Sequence, residues 1–450
     1  MKKSISLMII ITLIFTLFSC KSKDILLFLN WGEYIDESII EEFEETYSVN
    51  VMMDLADSNE KFYSKVRGGT TVYDVVCPSD YMVEKMYQNG MLAELDFSLI
   101  PNYDFSKRMP GVEGIADTME KNYSGISNYY VPYLWGTWGI MYSTLKEGLE
   151  DAIINNDNKW SILFDKKTLP SGTKVAMYNS YLHDYYAVCK YLKLDNRVEL
   201  SKDELDLVYK TIKNAKFDAW GTDNIKKDIV AGNFDVGFMW TGDFLYYYCE
   251  EAAKNIVNAY NNGDVIAKDI PKMLEILTSN DRIYNVGGKK YQIGFDIYIP
   301  DDTIAFCDNL VVTKNAKHYE LAHEFINFMC GRTSGINGVD AAYSNAYYVS
   351  YNTPYIDVYD DLVDLKNVSF DNIETIYNKE KSEGVNIYDT TLFWNVYDRA
   401  IGIAFEKYYP KEEIIILPDG SIKKYKGDIL ANFQRSYVNI INRTFDNAKA

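Results

Sequence analysis

"DILLFLNWGEYIDESIIEEFEETYSVNVMMD", residues 24 to 54, sets two apolar runs on either side of a segment with helical spacing. DILLFLN (24–30) and VNVMMD (49–54) are short and bounded by polar residues, as strands are. Between them Asp36 is placed to cap a helix, because its carboxylate can accept from the unpaired N–H groups of the first turn. Ile39, Ile40, Phe43 and Tyr47 then recur on one side of that helix. Strand, helix and strand with short connections imply an α/β sheet. Ligands of such sheets sit beyond the carboxyl ends of the strands, where Trp31, Gly32, Glu33 and Tyr34 fall.

The alternation continues along the chain. YDVVCP (73–78) reads as a buried strand, followed by a helix from Asp80 to a stop at Asn89-Gly90. TKVAMYNS (173–180) is strand-like, Tyr185 to Leu194 helix-like, and Ser201 to Glu204 form a capping box ahead of Leu205, Val208 and Ile212. FDVGFMWTGD (234–243) is a strand ending at Trp240-Thr241-Gly242-Asp243, and FCDNLVVTK (306–314) is a strand crossing from Asp308. Ala316 to Cys330 is an amphipathic helix with Leu321, Phe325, Phe328 and Met329 inward and Gly331 as its stop. At 450 residues the chain exceeds one ordinary core, so two lobes are expected.

Charge excludes one class of partner. With 46 basic and 65 acidic side chains the net charge is -19, the wrong sign for nucleic acid and the right one for cations. Thirty-nine Tyr and seven Trp supply faces that attract ammonium groups. Enzyme signatures are sparse: there are three His, and His318 and His323, five apart on a helix, do not share a metal. No nucleophile-elbow, zinc-helix, phosphate-loop or dinucleotide motif is present, so neither enzymatic chemistry nor a cofactor or metal is expected. A hydrolase would need a nucleophile–base pair, and an adhesin a repeat array.

The first twenty residues predict export. Lys2 and Lys3 precede an apolar stretch from Ile5 to Phe18, and LFSC (17–20) closes it, too short for a membrane span. A small residue before Cys resembles a bacterial lipobox, so residues 1–19 are read as a lipoprotein signal peptide and Cys20 as the lipidated first residue. Cys77, Cys189, Cys249, Cys307 and Cys330 remain, too widely spaced for a disulfide framework and expected to be buried small hydrophobes.

What recurs is an aromatic residue beside a carboxylate at a strand end: Trp31, Glu33 and Tyr34; Asp80 and Tyr81; Trp240 and Asp243; Phe306 and Asp308. Rings attract a cation through their quadrupole, an alkyl chain gains by leaving water, and carboxylates hold ammonium ends. Four such pairs at sheet ends predict a shared cleft.

At these residues the chain resembles the extracytoplasmic substrate-binding proteins of polyamine ABC transporters, the spermidine/putrescine-binding family. The likeness runs through FLNWGEYI, DSNEKFYSKV, YDVVCPSDYMVEKMYQNGML, YVPYLWGTWGI, FMWTGD, CDNLVVTKNAK and SYNTP. It implies a two-lobed clamshell with crossing hinge strands, of lobes 24–136 plus 309–355 and 137–308 plus 356–450. It also implies a linear polyamine as ligand, putrescine or spermidine, and docking onto a permease and its ATPase. The family's binding aromatics match Trp31, Tyr34, Tyr81, Trp240 and Tyr351, with Phe306 where the family often has Trp. Ser79 and Asp80 match the adjoining polar turn, Asp308 the central acid, and Asn395 in LFWNVYD a terminal amide-bearing residue. After TKVAMYNS the family places two acids; here the positions are Ser180 and His183, with Asp184 one place on. Loss of those charges predicts a preference for the shorter diamine. The same fold with another cation or a sugar is the alternative.

Residues 251–300, with VGGKKYQIGF reading as a hairpin, and 412–426, a hairpin turning at Pro418-Asp419-Gly420, are longer than usual for the family. They are read as surface decoration or as contacts to a particular permease. The expected assembly is a monomer, lipid-anchored on the outer side of the cytoplasmic membrane.

Overall fold

The computed structural model describes residues 23–222, 224–332 and 340–411, with short pieces further on. The signal segment, Cys20 and the Pro418-Asp419-Gly420 turn lie outside the described residues. Ile25–Asn30 (β1), Asn50–Leu55 (β2) and Val75–Val76 (β3) run parallel, with β1 in the middle. The helix Glu37–Tyr47 returns β1 to β2, capped by Asp36, which accepts from the Ser38 N–H, with Ile39 and Phe43 buried beneath it. The expected strand–helix–strand unit is therefore present.

Val131–Ser143 (β4) is buried along its whole length. Val175–Tyr178 (β5), Ala219–Gly221 (β6) and Val236–Trp240 (β7) form a second parallel set. Ile283–Val286 (β8) and Lys289–Gln292 (β9) make the expected hairpin, turning through Gly287 and Gly288 at φ +57° and +77°. Phe295–Tyr298 (β10) lies antiparallel on β4, and Ile304–Val312 (β11) is buried throughout.

Two strands join the halves. β11 pairs with β3 at Val311–Val312 and with β4 from Ala305 to Leu310, while β4 pairs with β7 from Trp138 to Tyr142. The order is β2-β1-β3-β11-β4-β7-β5-β6, so β11 and β4 lie between the two parallel sets and join them. The result is the two-lobed α/β fold expected. A register shift between Asp308 and Asn309 breaks the β4–β11 ladder, and Asp308 bridges to Ser79 instead. Such irregularities re-aim a side chain beside a site.

Other expectations resolve at the level of elements. Ser201 and Glu204 make a reciprocal capping box on the helix Lys202–Ala215. The helix Tyr181–Leu192 starts four residues before the expected Tyr185, because His183 and Asp184, polar but buried, belong to its inner face. His323 is structural: its Nε2 accepts from the Asp96 N–H at 3.0 Å and its Nδ1 lies 2.7 Å from the Tyr319 carbonyl. The five described cysteines are buried and unbridged. Ile415–Ile416 pairs antiparallel with Ile422–Lys423, as the 412–426 hairpin required. Among the described residues no helix is long and apolar enough to cross a membrane.

Candidate functional site

Beyond the carboxyl ends of β1, β5 and β7 the chain surrounds one cleft of about 1960 Å³. At its base Asp308, re-aimed by the break in β11, is 5% exposed. The Tyr34 hydroxyl donates to Asp308 Oδ2 at 2.8 Å and the Ser79 hydroxyl to Oδ1 at 2.6 Å. Ser79 is itself oriented by Asn59, which accepts from the Ser79 N–H at 3.0 Å and donates to Oγ at 2.9 Å. Burial pushes the Asp308 carboxyl up to about 6, against the pull of the Ser79 and Tyr34 hydrogen bonds. No basic side chain among the described residues lies within ion-pair distance of it. The arrangement is a desolvated acid with two neutral donors, lacking a counter-charge.

Aromatic rings line the approach. Tyr34 stands edge-on to Tyr351 with centroids 5.2 Å apart, Tyr351 lies 6.1 Å from Phe306, and Phe306 lies 4.4 Å from Trp240. Trp138 supports Trp240 from beneath at 4.1 Å and stacks on His183 at 4.2 Å. Trp31 leans on Phe62 at 4.6 Å, its Nε1 donating to the Cys77 carbonyl at 2.8 Å. Tyr351 reaches its position because residue 242 is glycine: a Cβ there would lie 2.3 Å from the ring. Burial, with Asp308 nearby, holds the Tyr34 phenol well above its usual range, so it stays a donor.

Trp31, Glu33, Tyr34, Ser79, Tyr81, Ser180, His183, Trp240, Asp243, Phe306, Asp308 and Tyr351 all line this cleft. Glu33 sits at the lip in the left-handed region, φ +51°, uncommon for a side chain with a Cβ. The Tyr246 and Tyr247 phenols are raised mainly by burial, and Glu33's charge contributes to both. Asp243 Oδ1 accepts from the Tyr351 hydroxyl at 3.2 Å and from Lys226 Nζ at 3.0 Å. Ser180 Oγ and His183 Nδ1 are 2.5 Å apart, and burial lowers His183 to about 3, so the ring is neutral near pH 7.

Two expected positions are elsewhere. Asp80 is fully buried and accepts from the Tyr81 N–H at 2.5 Å; one helical step of about 100° puts Tyr81 on the cleft and Asp80 in the interior. Asn395 donates to the Ser369 carbonyl at 3.2 Å, away from the cleft, while its neighbour Trp394 lines the mouth. Asp184 is also fully buried and absent from the lining. Sequence reasoning passed over Tyr246, Tyr247, Glu250 and Lys254, although with Asp243 they recur at helical spacing along one side of Thr241–Asn261. Lys226, on the separate helix Asn224–Val230, left no such signal.

The family profile for the bacterial extracellular solute-binding proteins matches residues 29–332. The chain belongs to that family. This solute-binding protein is 23% identical over 316 residues, 69% of its length and 72% of the relative's, to spermidine/putrescine-binding periplasmic protein 1 of Haemophilus influenzae. It is 25% identical over 310 residues, 67% of its length and 72% of the relative's, to the putrescine-binding periplasmic protein SpuD of Pseudomonas aeruginosa. Among solved structures, the PotD substrate-binding protein of a spermidine/putrescine ABC transporter from Streptococcus pneumoniae superposes with a TM-score of 0.55. It is 19% identical, and the match covers 95% of this chain and 99% of that one. These structural likenesses bear on the fold.

Proposed function

We propose that this solute-binding protein captures a small linear polyamine, putrescine or spermidine, outside the cytoplasmic membrane and delivers it to an ABC transporter permease and its ATPase. The observation that carries this reading is Asp308: a buried carboxylate, without a basic partner among the described residues, at the base of an aromatic cleft. An ammonium end would meet Asp308, and the aliphatic chain would lie between Trp31, Tyr34, Trp240 and Tyr351. The names carried by the relatives support the same ligand class.

The protein works without a chemical step. Ligand touching both lobes stabilises the closed state, and the crossing strands β4 and β11 act as the hinge between lobes 24–136 plus 309–355 and 137–308 plus 356–450. Cys20 carries the lipid anchor, and the working form is a monomer. Isothermal titration of Asp308→Ala and Trp240→Ala is expected to show at least a hundredfold loss of polyamine affinity; wild-type affinity in either variant would remove Asp308 and the aromatic cleft from the site. Mass spectrometry of ligand released from purified protein identifies the occupant, and a carbohydrate there would overturn the polyamine reading.

A further inference from the structure

Resting on the polyamine reading, we propose that Lys226 is a resident cation that fills the Asp243 pole of the cleft and sets how many ammonium groups a ligand can carry. Lys226 Nζ lies 3.0 Å from Asp243 Oδ1, and their side chains are only 12% and 14% exposed. Both residues line the cleft, so this is a largely desolvated pair inside the binding space rather than a solvated surface pair.

The position of the pair gives it a role. Asp308 and Asp243 are the acids that the two touching rings Tyr34 and Tyr351 reach with their hydroxyls. The contact between these rings links the two acids along one aromatic wall of the cleft. Asp308 has neutral donors, whereas Asp243 already has an ammonium. On the neighbouring wall Ser180 and His183 bring no negative charge, since burial keeps the imidazole neutral. A ligand ammonium at the Asp243 end must therefore displace the lysine or sit beside a like charge, and each further ammonium on the ligand meets the same field. The cleft accepts the first ammonium at Asp308 and discriminates against added ones.

The test is a charge series. Affinities of n-butylamine, putrescine and spermidine are measured by titration calorimetry for the wild type, Lys226→Met and Lys226→Arg. Lys226→Met removes the charge and keeps most of the stem; Lys226→Gln replaces it if circular dichroism shows Lys226→Met to be unfolded. The expected result is at least a tenfold gain in spermidine affinity relative to n-butylamine in the uncharged variant, with putrescine between them and Lys226→Arg close to wild type. Equal changes for all three amines, or none, overturn the role of Lys226 and leave the polyamine reading standing. Failure of every protein to bind putrescine or spermidine overturns both. Polyamine binding that appears only in the uncharged variant supports the resident cation.

Discussion

Asp308 carries its own pH prediction. Its carboxyl is raised by burial from 3.8 to about 6, so the ligand-free fold binds its proton more tightly than the unfolded chain does. Its contribution to stability is therefore complete below 3.8 and lost as pH rises through about 6. Binding an ammonium runs the other way, because the proton must leave first. Polyamine affinity, measured by calorimetry, is expected to fall roughly tenfold per pH unit below about 6. His183 has the opposite sign: held at about 3 against 6.5, it contributes stability above 6.5 that fades as pH falls towards 3. Trp31, Tyr34 and Trp240 were legible because a strand end fixes where its next side chains can go, whereas Asp308 lies in the middle of β11 and reaches the cleft through the register break there. Asp80 and Asn395 were misplaced because a helix turns each successive residue by about 100°, and one step separates cleft from interior. Lys226 was illegible because it acts on a residue 17 positions later on another helix, with the whole of β7 between them.

Among elements, those defined by local chemistry were legible, such as the Asp36 cap and the Ser201–Glu204 box. β4 was not read as a strand, because VPYLWGTWGIMYS contains Pro132, Gly136 and Gly139 and has no alternation. Its glycines make sense only in three dimensions: a Cβ at Gly136 would lie 3.3 Å from the Phe306 ring, and one at Gly139 2.5 Å from Ile297. The start of the helix Thr241–Asn261 yields a direct prediction. Gly242→Ala should drive Tyr351 from its seat, costing at least tenfold in ligand affinity by calorimetry while the chain stays folded. Within residues 251–300 Arg282 is buried and ion-paired to both Asp296 and Glu150. Arg282→Ala leaves Asp296 buried without its partner, an expected loss of about 3–5 kcal/mol in chemical denaturation.

At the scale of the molecule, cleft closure predicts that polyamine lowers the radius of gyration in solution X-ray scattering, and Asp308→Ala should abolish the change. Binding also raises thermal stability by mass action, by about 2.7 kcal/mol at a hundredfold excess over Kd. A net charge of -19 draws cations in from solution, so association should slow as salt is added. The two-lobed plan was partly legible from length and alternation, and the crossing strand at 306–314 was read as such, but β4 as its partner was not, because pairing between distant strands leaves no local period.

The buried cysteines have a practical consequence. Since Cys77, Cys189, Cys249, Cys307 and Cys330 are all inside, the described surface offers no thiol to a maleimide dye. A single cysteine introduced at Tyr348, exposed at the cleft mouth, would be the one labelling point on that surface. A protein expressed from Lys21 onward, and so without Cys20, and tagged there becomes an optical reporter whose emission follows amine concentration, with no further thiol having to be engineered away.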